Sequence, residues 1–269
     1  MADRPGRPVR PLALGPATLT LRRLFPDPAA VSPGEAYKEL GLHERARAER
    51  PYVVANMVTT ADGRATLQGR TEGISSDTDR TLFHSLRAEV DAVMVGTGTI
   101  GIEGYGPLAR REEVRARRAE LGLPEQPVCV TASRSLELPV DAPLFQDPDS
   151  HVLVLTNSVR EPPPCECRLT VERLPGDDLD FALGMSALRE RHGVRAVLLE
   201  GGPTVLAAML AAGLVDELFL SVSPLLVGGG EPSVVEGTAL ARPLPLRVVS
   251  VLASESFLYL RYAMRYEIE

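Results

Sequence analysis

Short apolar runs rich in branched residues alternate along the chain with longer segments in which apolar residues recur every three or four positions. The short runs predict buried β-strands, and the longer segments predict amphipathic helices. We predict strands over residues 52–58, 91–95, 128–131, 152–155, 168–174, 196–199, 217–223, 246–252 and 257–268. We predict helices over residues 76–90, 110–121, 179–192 and 203–212. This alternation implies an α/β fold with a mainly parallel sheet, and the two adjacent final strands imply an antiparallel edge.

The first 50 residues differ from the rest of the chain because Pro, Ala and Arg are frequent and apolar periodicity is weak. A strand over residues 18–24 and a short helix over residues 33–40 are predicted there. We therefore expect a partly irregular N-terminal extension over residues 1–50 with little core of its own. The folded unit is expected to begin at Pro51 and to cover residues 51–269.

The junction after the strand at 196–199 carries the strongest candidate for a ligand site. Glu200 follows the strand, Gly201 and Gly202 come next, and Pro203 fits the first position of a helix. Two adjacent glycines let the backbone approach a ligand, and the free N–H groups of a helix start bind anions such as pyrophosphate. The junction thus offers a carboxylate beside a phosphate-binding backbone, although a Gly-Gly turn that only joins two elements explains the same residues.

A second glycine-rich stretch covers residues 96–107, and Gly96-x-Gly-x-x-Gly101 matches the letters of the Rossmann fingerprint. That motif needs a helix at its last glycine. Because Gly104, Gly106 and Pro107 follow, we predict a loop here and a nucleotide-binding mode other than the Rossmann one.

Other polar candidates lie beside predicted strands and helices. Ser133 and Arg134 follow the strand at 128–131 and suit the 2′-phosphate of NADP, or form an exposed polar turn. Arg87 and Arg110 flank the glycine-rich stretch and can bind an anionic substrate, or be solvated surface residues.

Composition narrows the classes of partner. The formal net charge of −7 over 269 residues argues against nucleic acid or an anionic membrane surface as the main partner. No run approaches the roughly 20 apolar residues of a membrane span, and the N-terminus lacks the apolar core of a signal peptide. We expect a cytoplasmic protein that acts on a small molecule. The three cysteines and four scattered histidines show no metal-binding pattern.

Five ordered blocks together resemble the C-terminal reductase domain of the riboflavin-biosynthesis protein RibD. They lie at residues 56–64, 74–76, 86–99, 199–203 and 213–218 with 224–229, and the resemblance runs from about residue 51 to the C-terminus. It implies a dihydrofolate-reductase-like three-layer sandwich, NADPH as cofactor and a homodimer. It also implies reduction of the ribosyl group of a 5-amino-6-ribosylaminopyrimidinedione 5′-phosphate to ribityl. We expect no counterpart of the deaminase half of RibD in residues 1–50, because that segment is too short for it.

The resemblance also implies roles for individual residues. It places Ser75, Arg87, Arg110 and Glu200 at the substrate, and it places Ser133 near the adenosine end of NADPH. The other residues expected to contact the cofactor are Val58, Thr99, Arg134, Gly201, Gly202, Pro203, Thr204 and Val205. The pair Gly201-Gly202 resembles the glycine pair that adopts a cis peptide against the pyrophosphate in this fold.

Two departures from the family pattern fall on the substrate pocket. Glu103 stands where the family usually has an aspartate beside the reacting sugar, and Gly73 replaces a frequent aromatic residue. Glu103 and Glu200 are therefore the predicted catalytic acids. Two alternatives stay open: a reductase of this fold that acts on dihydrofolate or another pterin or pyrimidine, and a non-catalytic NADP(H)-binding protein.

Overall fold

The computed structural model describes residues 21–237 and 239–266, which form eleven strands and five α-helices. The strands are β1 (Leu21–Phe25), β2 (Ala29–Val31), β3 (Tyr52–Thr60), β4 (Ala92–Met94), β5 (Val128–Ala132), β6 (His151–Thr156), β7 (Arg168–Arg173), β8 (Ala196–Leu199), β9 (Glu217–Ser223), β10 (Leu246–Ser254) and β11 (Phe257–Met264). The helices are α1 (Asp77–Ala88), α2 (Thr97–Glu103), α3 (Glu112–Glu120), α4 (Phe181–Glu190) and α5 (Pro203–Ala211). None of the helices in these described ranges is long and apolar enough to cross a membrane.

All eleven strands form one sheet in the order β2-β1-β10-β11-β9-β3-β8-β4-β5-β6-β7. The strands from β9 to β7 in this order run parallel to one another. The strands β11, β10, β1 and β2 add to β9 in antiparallel fashion. The predicted α/β class, with a mainly parallel sheet and an antiparallel C-terminal edge, is confirmed.

Alternating residues of the central strands face two separate apolar layers. On β3, Val54 packs in the layer that contains Leu82 and Leu86 of α1. Val53 and Ala55 point to the opposite face, where side chains of α4 and α5 cover the sheet. The sheet is therefore the middle of three layers, as the period-two alternation of strand side chains requires.

The N-terminal extension is more tightly integrated than its composition predicts. Strand β1 pairs with β10 and adds to the sheet edge, while Leu21, Tyr37 and Leu42 are buried in the same apolar layer as α1. Residues 33–40 form turns and no helix. Residues 1–20, including the start of the strand predicted at 18–24, lie outside the described residues. The described part of the extension completes the main core because its apolar side chains cover a sheet face.

The glycine-rich stretch also differs from its prediction, because it forms α2 and not a loop. Gly96 is the N-cap, and Gly104 ends the helix in the left-handed conformation with φ of 64°. Ile100 is fully buried and anchors the helix on the core. Tertiary packing of this one side chain thus overrides the low helix propensity of the surrounding glycines.

Candidate active site

A cavity of about 730 Å³ opens at the carboxyl ends of β3 and β8, between α1, α2 and the start of α5. Ligands in parallel α/β sheets bind at this end of the strands. The predicted site residues that line the cavity are Val58, Ser75, Arg87, Thr99, Glu103, Arg110, Glu200, Gly201, Gly202 and Pro203. Residues from five separate parts of the sequence thus meet at one place.

Four predicted residues do not line this cavity. Ser133 and Arg134 follow β5, where the Ser133 hydroxyl donates to the carbonyl oxygen of Glu137 at 3.4 Å and Arg134 is exposed. Thr204 and Val205 lie in the first turn of α5. The contacts expected between these four residues and the cofactor therefore stay predictions.

Glu200 and Arg87 form a buried ion pair at the base of the cavity. The Arg87 Nε lies 2.6 Å from Glu200 Oε1, and Arg87 Nη2 lies 2.7 Å from Oε2. The side chain of Arg87 is only 7% exposed and that of Glu200 is 0% exposed. This parallel two-point geometry is the strong form of the arginine–carboxylate interaction.

Tyr105 completes this cluster, since its hydroxyl donates to Glu200 Oε2 at 3.0 Å. Burial, followed by the charge of Glu200, raises the pKa of Tyr105 well above its ordinary value. The phenol therefore stays protonated and remains a donor. Both oxygens of Glu200 accept hydrogen bonds from protein groups. The partners that this geometry gives Glu200 are therefore Arg87 and Tyr105.

Glu103 lies at the last position of α2. Its Oε1 accepts hydrogen bonds from the Thr71 N–H at 3.1 Å and from the Thr71 hydroxyl at 3.2 Å. These bonds join α2 to the segment that leads into α1. Glu103 remains partly exposed and lines the cavity.

The backbone around Gly202 leaves no room for a side chain. A Cβ atom there would lie 2.9 Å from the Thr99 Oγ1 atom, closer than ordinary contacts allow. The Gly201–Gly202 peptide is cis, in agreement with the resemblance, and α5 begins at the next residue. The narrow glycine backbone beside a helix N-terminus fits the pyrophosphate of a dinucleotide such as NADPH.

Arginines form another wall of the cavity, around His84. Arg80, Arg110 and Arg111 line it with His84, and each retains some solvent exposure. Burial, together with the neighbouring arginines, lowers the pKa of His84 to about 3. His84 is therefore neutral near pH 7, and this wall carries the positive charge of guanidinium groups, which bind phosphate in two-point geometry.

Sequence reasoning missed Asp79, His84 and Tyr105 as residues of the cavity. Asp79 stands three residues after Ser76 at the start of α1, and the Ser76 hydroxyl accepts a hydrogen bond from the Asp79 N–H at 3.1 Å. The side chains of Asp79 and Phe83, four residues apart on α1, both line the cavity. That spacing is the one local signal that was available.

Comparison with known proteins identifies the family of this chain. The family model described as the RibD C-terminal domain matches residues 51–258. The chain is 29% identical over 199 residues to 2,5-diamino-6-ribosylamino-4(3H)-pyrimidinone 5′-phosphate reductase of Archaeoglobus fulgidus, which covers 72% of this chain and 90% of that protein. It is 31% identical over 195 residues to the protein of the same name from Methanothermobacter thermautotrophicus, covering 71% and 86% of the two chains.

The fold has counterparts among solved structures. A pyrimidine reductase-like protein from Corynebacterium diphtheriae superposes with a TM-score of 0.72 and 24% identity, covering 88% of this chain and 100% of that one. A deaminase/5-amino-6-(5-phosphoribosylamino)uracil reductase from Thermotoga maritima gives a TM-score of 0.64 at 24% identity, covering 80% and 57%. The expected dihydrofolate-reductase-like fold is confirmed.

Proposed function

The chain belongs to the RibD C-terminal domain family, and from this premise we propose that it is an NADPH-dependent reductase of riboflavin biosynthesis. Its substrate would be a ribosylaminopyrimidine 5′-phosphate, whose ribosyl group is reduced to ribityl. The pyrimidine would be either the aminouracil expected from the sequence or the diaminopyrimidinone that the archaeal relatives are named for.

One observation carries this proposal: residues expected at the cofactor and residues expected at the substrate line the same cavity. Val58, Thr99 and the glycine pair line this cavity, and so do Ser75 and the arginine wall. Hydride transfer needs its two carbon atoms held in near contact with water excluded. A shared cavity between two walls meets this geometric requirement.

On the cofactor side, the glycine pair and the α5 N-terminus would hold the pyrophosphate, with Pro203, Thr204 and Val205 in the first turn. Val58 and Thr99 would lie against the nicotinamide end. Ser133 and Arg134 would meet the adenosine ribose and its 2′-phosphate, beyond the cavity. When bound, the reduced nicotinamide supplies the hydride.

On the substrate side, Arg110 would bind the 5′-phosphate, helped by Arg80 and Arg111 on the same wall. Glu103 would hold the sugar hydroxyls in the place of the family aspartate. The buried pair of Glu200 and Arg87 would hold the Tyr105 side chain in place at the base of the cavity. We further propose a homodimer, which the resemblance supports and light scattering of the purified protein would test, and a cytoplasmic location.

The test is NADPH oxidation by the purified protein, followed by absorbance, with three substrates supplied separately. These are the ribosylaminouracil phosphate, the ribosyldiaminopyrimidinone phosphate and dihydrofolate. We expect turnover of one or both ribosyl compounds and a ribityl product identified by mass. Turnover of dihydrofolate alone would favour the pterin alternative, and NADPH binding without any turnover would favour a non-catalytic binding protein.

A further inference from the structure

Six carboxylate residues are buried in the described part of the chain, and five of them have a cationic partner. The pairs are Glu89 with Arg117, Glu172 with Arg191 and His192, Glu200 with Arg87, Asp216 with Arg50, and Glu217 with Arg45 and Arg261. Asp79 is the exception, because no cationic group of the described residues lies within 4 Å of its carboxylate. A buried carboxylate without a counter-ion is costly when it is charged.

The position of Asp79 at the cavity is its second distinctive feature. Asp79 lies in the first turn of α1, is 7% exposed, and lines the cavity with Ser75 and Gly201. In a capping box, the third helical residue would accept a hydrogen bond from the backbone of the N-cap residue. In the described residues, the Asp79 Oδ2 atom instead accepts one from the Ser75 hydroxyl at 2.6 Å. Helix capping therefore does not account for this carboxyl group.

The groups packed around Asp79 shift its titration toward the protonated form. Burial raises the pKa of Asp79, against smaller opposing effects from the hydroxyls of Ser221 and Ser75 and the charge of Arg80. The other titratable neighbours are Tyr37, from the N-terminal extension, and Tyr259, on β11. Burial raises the pKa of both phenols, that of Tyr259 to about 12, so neither contributes a charge near pH 7.

We infer that Asp79 is the catalytic acid of this cavity and protonates the nitrogen of the C=N bond that the enzyme reduces. The inference rests on the proposed function, in which the ring-opened ribosylamine presents such a bond. A bound reduced nicotinamide would supply the hydride for the new C–H bond; as the π electrons move to nitrogen, the Asp79 carboxyl group would give its proton to that nitrogen. The Asp79 carboxylate then regains a proton from solvent after the product leaves.

The first test compares Asp79→Asn with Asp77→Asn in steady-state kinetics. Asp77 lies in the same helical turn and its side chain is 82% exposed, so it controls for the loss of a carboxylate near the α1 N-terminus. A general acid contributes about 100-fold or more to rate, so Asp79→Asn should lower kcat by at least that factor with little change in KM. Asp77→Asn should retain both parameters.

The pH dependence separates proton donation from a structural role. In the wild-type enzyme, kcat should fall as the pH rises through the pKa of Asp79, because only the protonated acid donates. Asp79→Glu should retain this dependence at a lower rate, and Asp79→Asn should lose it. An unchanged kcat in Asp79→Asn, or a change confined to KM, would overturn the inference.

A second measurement does not depend on activity or on any variant being catalytically competent. In protein labelled at the aspartate carboxyl carbons, the NMR signal assigned to Asp79 should titrate above the ordinary aspartate range. Titration at or below that range would overturn the inference even if the reductase assay succeeds. A wild-type protein inactive with every C=N substrate would instead overturn the proposed function, and with it the step assigned to Asp79.

Discussion

At the scale of single residues, charge pairing decides which side chains are available for chemistry. Glu200 is the acid that the sequence marks most clearly, yet Arg87 and Tyr105 occupy its oxygen atoms. Asp79, in the first turn of α1, is the one buried acid of the described residues that has no cation paired to it. Among the described residues that line the cavity, Asp79 is thus better suited than Glu200 to donate a proton. Glu200 is better suited to hold Arg87 and Tyr105 in place at the base of the cavity.

Replacing Glu200 by Gln should reveal this supporting role. The Arg87 charge would stay buried without its counter-ion, and breaking a buried pair costs about 3–5 kcal/mol of unfolding free energy. We expect urea denaturation to show this loss together with reduced turnover. The double variant Glu200→Gln with Arg87→Met should regain stability without regaining activity. Unchanged stability with turnover abolished and NADPH binding retained would instead support the sequence-based expectation that Glu200 contacts substrate.

At the scale of elements, two helix starts form the cofactor side of the cavity. Gly96 caps α2 and Gly202 caps α5, and the Gly96 N–H donates to the Gly201 carbonyl oxygen at 3.0 Å. The missing side chains let these backbones approach each other. The sequence predicts α5 well because its start and stop signals are local, but it misses α2 because burial of Ile100 stabilises that helix from outside the segment.

Gly202→Ala should therefore disturb both stability and cofactor binding. The added methyl group would meet the Thr99 hydroxyl, so the Thr99 side chain must rotate or α2 and α5 must separate. Overpacking of this kind costs about 1–3 kcal/mol, and we expect at least about a tenfold loss of NADPH affinity by calorimetry. Gly101→Ala is the matched control, since its methyl group would make only an ordinary contact at 3.5 Å with Pro139. Equal effects of the two substitutions would contradict this account.

At the scale of the whole molecule, the described part of the N-terminal extension belongs to the core. Leu42 is 1% exposed, and the buried ion pair of Arg50 with Asp216 joins the end of the extension to the segment before β9. Burial of apolar area stabilises the fold irrespective of where in the sequence the side chain originates. The family match begins at residue 51, so the structural unit is larger than the matched segment.

Leu42→Ala should consequently behave as a core substitution. Removing a buried leucine side chain costs about 2–5 kcal/mol, which urea denaturation would measure as a lower midpoint at similar slope. Leu24→Ala provides the comparison, because Leu24 in β1 is 42% exposed. We expect its effect to stay within about 0.5 kcal/mol. A loss of similar size in both variants would count against the core role of Leu42.

The sequence by itself determined most of the succession of strands and helices along the chain, with β2 and α2 as exceptions, and it determined the junction at residues 196–212. Those features depend on local patterns: side-chain period, a proline at the first helical position, and glycine after the last. Tertiary structure alone decided that Arg87 pairs with Glu200, 113 residues away, and that Asp79 faces the cavity with no cation from the described part of the chain beside it. It also decided that β1 extends the sheet. Contacts between distant segments depend on how strands order and helices pack, and local periodicity carries no information about that order.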